Sequence, residues 1–294
     1  MEAPHSVSKS PLLLNEEQAV SVLTIFIREE VRRTGLSKAI IGLSGGVDSA
    51  LSTYLSVRAL GAENVHALMM PYRTSSPESL SDAQAVVNDL GITSEIFYIS
   101  PAADAFFNND ESSLQNSPLA IRHSPLTPVR RGNIMARLRM IALYDRSQAM
   151  NALVVGTSNK TESLLGYTTM YGDNASAINP LGDLYKTQVW QLAKYVGVPE
   201  QIVSKPPSAD LWPGQTDESE LGITYHEVDE LLFYMIDLRE RDEVLVKRGF
   251  PIEQIQRIRG AVQRTQYKRR LPLIAKISSR TINADFRYPR DWGT

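Results

Sequence analysis

An α/β fold is what this chain predicts: a doubly wound parallel sheet flanked by helices, with a helical C-terminal part. Three observations carry it. Short apolar runs alternate with helical patterns over the first half of the chain, the rhythm of parallel strands joined by right-handed crossovers. One apolar run, residues 39–43, leads straight through Ser44-Gly45-Gly46 into a helical stretch. A second apolar run of the same kind, residues 152–157, leads into Gly156-Thr-Ser-Asn-Lys-Thr-Glu162.

Each element has its own local reason. Asn15 opens a helix with Gln18 as capping-box partner, and Val20, Leu23, Ile27 and Val31 recur at helical spacing. Residues 39–43 form the first strand, and the helix opened by Asp48 and Ser49 runs to about Leu60. Residues 64–70 read as the second strand, ended by Pro71, and residues 81–90 as a helix stopped by Gly91. Residues 95–99 read as the third strand, ended by Pro101. Residues 108–131 break the rhythm with Asn, Ser and Pro and read as a long irregular stretch. A helix over 133–150, the fourth strand and a helix over 185–196 follow. Residues 205–220, with three prolines and a glycine, read as a loop. Helices over 225–240 and 252–267 complete the pattern, and 277–294 has no clear periodicity. Residues 1–14 are expected to be a flexible tail and 15–294 a single domain, within the range of one core.

Composition excludes several classes. Net charge is −2 with both signs interspersed, so neither nucleic acid nor a membrane surface is an expected partner. The chain has no Cys, which excludes disulfides, Cys-ligated zinc and thiol or persulfide chemistry. No apolar run reaches the ~18 residues of a membrane span. The first eleven residues lack the apolar segment of a secretory signal, so a cytoplasmic location is expected.

The run Ile41-Gly-Leu-Ser-Gly-Gly-Val-Asp-Ser-Ala50 places two glycines between a strand and a helix. There, main-chain N–H groups can approach an oxyanion with no Cβ in the way, and the helix N-terminus adds partial positive charge. This phosphate cradle lacks the lysine of the commonest phosphate loop and the third glycine of the dinucleotide fingerprint. It resembles the SGGxDS loop of the N-type ATP pyrophosphatases. Ligands of doubly wound sheets sit where the strand order reverses. If the first and fourth strands flank that point, Asp48 and Glu162 face each other, and two carboxylates there suit Mg²⁺ with phosphate oxygens completing its shell. The plainer readings are helix-end charges for both.

Longer blocks sharpen the resemblance. Gly156 to Glu162, Gly166-Tyr-Thr-Thr-Met-Tyr-Gly-Asp173 and Asn179-Pro-Leu-Gly-Asp-Leu-Tyr-Lys-Thr-Gln-Val189 resemble the NAD synthetases. So do Asn133-Ile-Met-Ala-Arg-Leu-Arg-Met140, Lys205-Pro-Pro-Ser-Ala-Asp-Leu211, Gln215-Thr-Asp-Glu218 and Tyr267-Lys-Arg-Arg-Leu-Pro272. The resemblance implies an adenine nucleotide alpha hydrolase-like fold. It also implies amidation of nicotinic acid adenine dinucleotide (deamido-NAD) by ammonia, through an adenylate, at the cost of ATP. By the same resemblance Gly42, Leu43, Ser44, Gly45, Gly46, Val47, Asp48 and Ser49 bind ATP, joined by Thr157, Lys186 and Ser208. Asp48 and Glu162 match the ligands of Mg²⁺. Arg137, Tyr144, Met170, Asp173, Ala177, Tyr267 and Lys268 match positions at the deamido-NAD site. Asp48, Asp173 and Lys186 are the expected catalytic groups. A homodimer is expected.

Lys186 could instead be a surface lysine, Arg137 a solvent ion pair and Asp173 a structural turn residue. A cation in a helix's first turn is unfavourable, however, which favours a phosphate role for Lys186. Ammonium has no lone pair, so Asp173 is the candidate to hold it or take its proton. Met170 stands where many relatives have Lys, and Ala177 where they have Asp. Glutamine-using relatives carry an amidase domain with a nucleophilic Cys. This chain has no Cys, so direct use of ammonia is expected. The loops at 108–131 and 205–220 are expected to close over the substrates, because water hydrolyses an acyl-adenylate. Two other classes compete: a different adenylating enzyme of the superfamily, and a non-catalytic nucleotide-binding regulator. The second has no need of Asp48, Glu162 and Lys186 together.

Overall fold

The crossovers decide where the crevice lies. The computed structural model describes residues 10–113, 126–207, 222–270, 272–279 and 281. Four parallel strands, β1 (Lys38–Gly42), β2 (Val65–Met69), β3 (Thr93–Ile96) and β4 (Ala152–Val155), stand in the order β3-β2-β1-β4. From β1 the chain steps outward to β2 and β3, then returns past β1 to lay down β4 on its other side. Ile41 pairs with Ala67 on one flank and Val155 on the other. The strand order therefore reverses between β1 and β4, and their carboxyl ends open one crevice.

Both faces of the sheet are covered, and side chains alternate between them. Ala39, Ile41, Val65, Ala67 and Val155 pack with α1 (Glu16–Arg33), α2 (Val47–Leu60), α3 (Pro77–Leu90) and α7 (Lys186–Val196). Ile40, Leu68, Ala152 and Val154 face the other way, onto Ala142 and Leu143 of α5 (Pro128–Met150). The helix α2 is buried without interruption from Ala50 to Ser56, so it is the central element of its layer. α4 (Ser100–Ser113) joins α5 through Ile99, Ala103, Phe107 and Met135. A separate cluster holds the helical C-terminal part: α9 (Tyr225–Leu232), α10 (Asp242–Lys247) and α11 (Ile252–Arg264), with Tyr185 and Leu165 reaching in. α6 (Lys160–Leu165) and α8 (Glu200–Val203) are short connectors. No helix of the described residues is long and apolar enough to cross a membrane.

Most elements start where their caps put them. The Asn15 side chain accepts the Gln18 N–H at 3.0 Å, as the sequence indicates. The differences also have local causes. The stretch 108–131 is not irregular throughout: α4 runs to Ser113, and α5 begins at Pro128 behind a Thr127 cap. Pro at the first helical position starts a helix rather than breaking one. The same effect starts α3 at Pro77, four residues before the expected 81. The third strand lies at Thr93–Ile96 instead of 95–99, because its register is set by pairing with β2, His66 opposite Thr93. The expected helix 225–240 gives way at Phe233–Asp237 to a π-helical turn, and 252–267 ends at Arg264 with a 3₁₀ turn after it. Of the expected flexible tail, residues 12–14 are anchored. Leu12 is buried in the C-terminal cluster, and Gln188 and Gln191 of α7 bond the carbonyls of Leu12 and Leu14.

Leu51 lies at the centre of α2 with no exposed surface. Leu51→Ala is expected to lower unfolding free energy by about 2–5 kcal/mol, from lost transfer energy plus a residual cavity. Urea denaturation checks this, and a loss well under 1 kcal/mol would mean α2 is not the core helix.

Candidate active site

The turn between β1 and α2 admits only glycine at its tightest point. Gly45 has φ +83°, and a Cβ there would lie 2.1 Å from the Ser79 carbonyl oxygen. Gly46 is the N-cap of α2 and brings no side chain to occupy the helix end. The serines brace the loop: Ser49 Oγ donates to the Gly46 carbonyl at 2.9 Å and accepts the Ser44 N–H at 3.2 Å. Leu43 and Val47 are packed into the core, so Gly42 to Ser49 presents backbone, not apolar side chains, to the crevice.

Across the crevice, Asn159 caps α6 reciprocally with Glu162: the Glu162 N–H donates to Asn159 Oδ1 at 2.9 Å, and the Asn159 N–H to Glu162 Oε2 at 3.2 Å. Asn159 Nδ2 also donates to Asp48 Oδ1 at 2.9 Å. Lys186, the first residue of α7, is 2 % exposed. Its ammonium is ion-paired with Asp48 and lies 3.8 Å from Glu162 Oε1. The three residues singled out in the sequence thus meet at one point, and the unfavourable cation of the first turn is compensated by two carboxylates. Sequence reasoning did not give Asn159 a role of its own, although Asn with Glu three residues on is a legible cap signal. It also missed Asp229, which is fully buried. Burial pushes the Asp229 carboxyl pKa up, against hydrogen bonds from Thr161 and Thr187 and the charge of Lys186.

A second group gathers at the far end of α6. Lys268 Nζ donates to the carbonyls of Gly166 and Thr168, each at 2.7 Å. Asp173 Oδ1 accepts the Thr169 N–H at 2.7 Å, Arg137 Nε donates to the Met170 carbonyl at 3.2 Å, and Thr169 Oγ1 donates to Asn133 at 2.7 Å. Arg137, Met170, Asp173 and Lys268 are therefore neighbours, held against α5. Desolvation by surrounding protein pushes the Asp173 carboxyl pKa up, opposed by the Thr169 bonds and Lys268. The residue is nevertheless exposed by surface area. Solvent on its open side tempers the shift. Burial lowers the Lys268 ammonium pKa, with Asp173 opposing. Glu162 and Gly166 stand four residues apart along α6, about 6 Å of helix, so the two groups lie at opposite ends of one short element.

Other expected residues lie at the margins. Thr157 directly follows β4 and its Gly156 turn. The Ala177 N–H donates to the Val154 carbonyl, so that position is fixed by its backbone. Tyr144 is half-exposed, about two turns beyond Arg137 on α5, and burial raises its phenol pKa. Tyr267 is exposed beside Lys268. Ser208 and most of the 205–220 loop lie outside the described residues. Two clefts against α7, lined by Thr187, Gln191 and His226, contain no residue singled out by the sequence.

The sequence profile of the NAD synthase family matches residues 19–272. The chain belongs to that family. Among its relatives, an NH(3)-dependent NAD(+) synthetase of Trichlorobacter lovleyi is 52% identical over 97% of this chain and 99% of its own. One from Chlorobium phaeovibrioides is 53% identical over 95% and 96%. An NH3-dependent NAD synthetase of Campylobacter jejuni, solved with a nitrate ion, superposes with a TM-score of 0.73 at 35% identity, covering 90% of this chain and 100% of that one. An NMN synthetase of Francisella tularensis gives 0.76 at 33% identity, covering 90% and 99%. The family uses ATP, and the α/β architecture of these NAD synthetases is the one observed here.

Asp48 and Glu162 fit a divalent cation. Both already lie within reach of one shared cation, the Lys186 ammonium, on the rim of the loop that would receive phosphates. Among the described residues no third His, Asp or Glu joins them, which suits Mg²⁺, an ion that leaves most of its shell to phosphate and water.

Gly45→Ala is expected to cost about 1–3 kcal/mol of stability through the positive φ. It is also expected to weaken ATP binding at least tenfold, as the loop moves off Ser79. Calorimetric titration with ATP checks this; unchanged affinity would mean the turn does not cradle phosphate.

Proposed function

We propose that this chain is an ammonia-dependent NAD synthetase, a ligase that forms the carbon–nitrogen bond of the last step of NAD biosynthesis. The observation that carries the reading is the meeting of Asp48, Glu162 and Lys186 at the mouth of a glycine cradle. A carboxylate is a poor electrophile. Its oxygen attacks the α-phosphorus of ATP, diphosphate leaves, and the acyl-adenylate forms. Ammonia then attacks the acyl carbon and AMP leaves with the original carboxyl oxygen. The obstacle is the approach of two anions.

Each residue has a role in that scheme. The backbone of Gly42 to Ser49 and the N-terminus of α2 hold the β- and γ-phosphates of ATP. Lys186 neutralises charge developing on the phosphates, released from Asp48 when they arrive. Asp48 and Glu162 would hold Mg²⁺, which would supply positive charge to offset that of the phosphates. Thr157 and Ser208 complete the ATP site. Arg137 and Lys268 face the anionic deamido-NAD, with Tyr144, Met170, Ala177 and Tyr267 around it. Asp173 receives ammonium and takes its proton. No Cys is available in this chain to hydrolyse glutamine, which supports free ammonia as nitrogen donor.

Relatives about 52% identical are named NAD synthetases, and they weigh more than one structure at 33% named for NMN. We therefore assign the dinucleotide as acceptor. We further propose one domain over residues 15–294, a cytoplasmic homodimer and no nucleic-acid partner. Apolar Val129 and Ile141, exposed along α5 beside Arg137, support a second copy there.

The deciding incubation contains ATP, Mg²⁺, ammonium and deamido-NAD, with nicotinic acid mononucleotide as a competing acceptor. NAD, AMP and diphosphate are expected in equal amounts, and EDTA is expected to abolish them. AMP without NAD would assign a different acceptor, and no AMP would favour a non-catalytic nucleotide binder. Lys186→Ala is expected to lower turnover about 100-fold or more, as loss of one charge-stabilising group does elsewhere.

The pH profile tests Asp173. Its carboxyl protonates at higher pH than an ordinary carboxylate, and only the ionised form accepts a proton. At fixed total ammonium the rate should therefore fall as pH drops through that raised pKa. Asp173→Asn should lose about 10²-fold or more in rate, and its remaining rate should follow the free-ammonia fraction with no break at that raised pKa. An unchanged rate and profile would leave Asp173 a turn residue.

A further inference from the structure

The buried carboxylate of Asp229 has no part in the chemistry above, yet it is wired to the groups that do. It sits on α9 with no exposed surface. Its Oδ1 accepts the Thr161 hydroxyl at 2.6 Å, and its Oδ2 accepts both the N–H and the hydroxyl of Thr187 at 2.8 Å. Thr161 Oγ1 in turn accepts the Lys186 N–H at 3.0 Å. The first two N–H groups of α7 are thus capped from outside the helix, one by Thr161 and one by Asp229. Thr161 precedes Glu162, and Thr187 follows Lys186.

We infer that Asp229 is a positioning residue for the adenylation step, fixing the first turns of α6 and α7 so that Glu162 and Lys186 converge on the phosphate cradle. A fold that needed only stability has easier options at such a position. Burying a carboxylate is costly, and an apolar residue of similar volume is often as stable or more so. A carboxylate does what such a residue cannot: it takes three donors from two helices at once and sets their separation. Its charge also opposes the positive end of α7, where a lysine would otherwise raise the local potential. A shift of either first turn would move the ammonium and the carboxylate apart, and both must meet the same phosphates.

This inference rests on the proposed synthetase reading, and the test separates the two. ATP–diphosphate exchange in the presence of deamido-NAD reports adenylation alone, and NAD formation reports the whole reaction. Asp229→Asn is expected to lose about 10- to 100-fold in kcat for both, as removal of an orienting partner does, with the KM for ammonium unchanged. Ile255→Val, a buried change in the same cluster, controls for stability and should lower Tm without changing kcat. On a Lys186→Ala background Asp229→Asn should add less than about a twofold further loss, because the two act on one step. A folded Asp229→Asn with wild-type kcat, or a full independent loss on that background, overturns the inference. If Asp229→Asn does not fold, Thr161→Ser against Thr161→Val decides: Ser should keep the rate and Val lose about tenfold, and equal rates overturn the idea. A wild-type protein that makes no NAD and exchanges no diphosphate sinks the synthetase reading and this inference with it.

Discussion

The site depends on one ammonium between two carboxylates. Lys186 comes from the first turn of α7, Asp48 from the first turn of α2 and Glu162 from the first turn of α6. Three helix N-termini, each with a positive end, converge where the strand order reverses. Without the carboxylates that concentration of positive charge would repel the lysine, and without the lysine the carboxylates would repel each other. The sheet topology supplies the convergence, because α2 follows β1 and α6 follows β4, and these strands are neighbours.

The energetics favour function over stability as the reason for this arrangement. Buried ion pairs gain little over apolar packing, since desolvation offsets the Coulomb attraction. Phosphates change the balance. In the proposed reaction they bring negative charge to the cradle and compete for the lysine, which would free Asp48 and Glu162 for a cation of their own. On that proposal, the free protein holds the two carboxylates compensated by the Lys186 ammonium until substrate arrives. Asn159 and Asp229 brace this arrangement by hydrogen bonds, one from the loop after β4 and the other from the C-terminal helices.

The elements that depart from their local sequence pattern do so for physical reasons. Prolines at 77 and 128 look like interruptions, yet both start helices, because the first helical position needs no N–H. The third strand is displaced because an edge strand takes its register from its single neighbour, and nothing local records that choice. The N-terminal residues look like a tail because the first eleven hold two prolines and no apolar run. Leu12 is nonetheless buried, since glutamines on α7 hold the backbone around it.

What the sequence by itself determined is whatever is encoded within one turn or one strand–loop–helix unit. The Gly45-Gly46 cradle, the Asn159–Glu162 cap, the alternation of elements and the family likeness all reside in contiguous residues, whose conformations follow from local sterics and hydrogen bonding. The tertiary structure alone decided which distant charges meet. Lys186 pairs with Asp48 across 138 residues of chain, and Asp229 reaches Thr161 across 68. Such pairings depend on strand order and on how the C-terminal helices dock, and neither leaves a periodic signal. A buried aspartate in a helix looks like any solvated one until the fold shows what surrounds it.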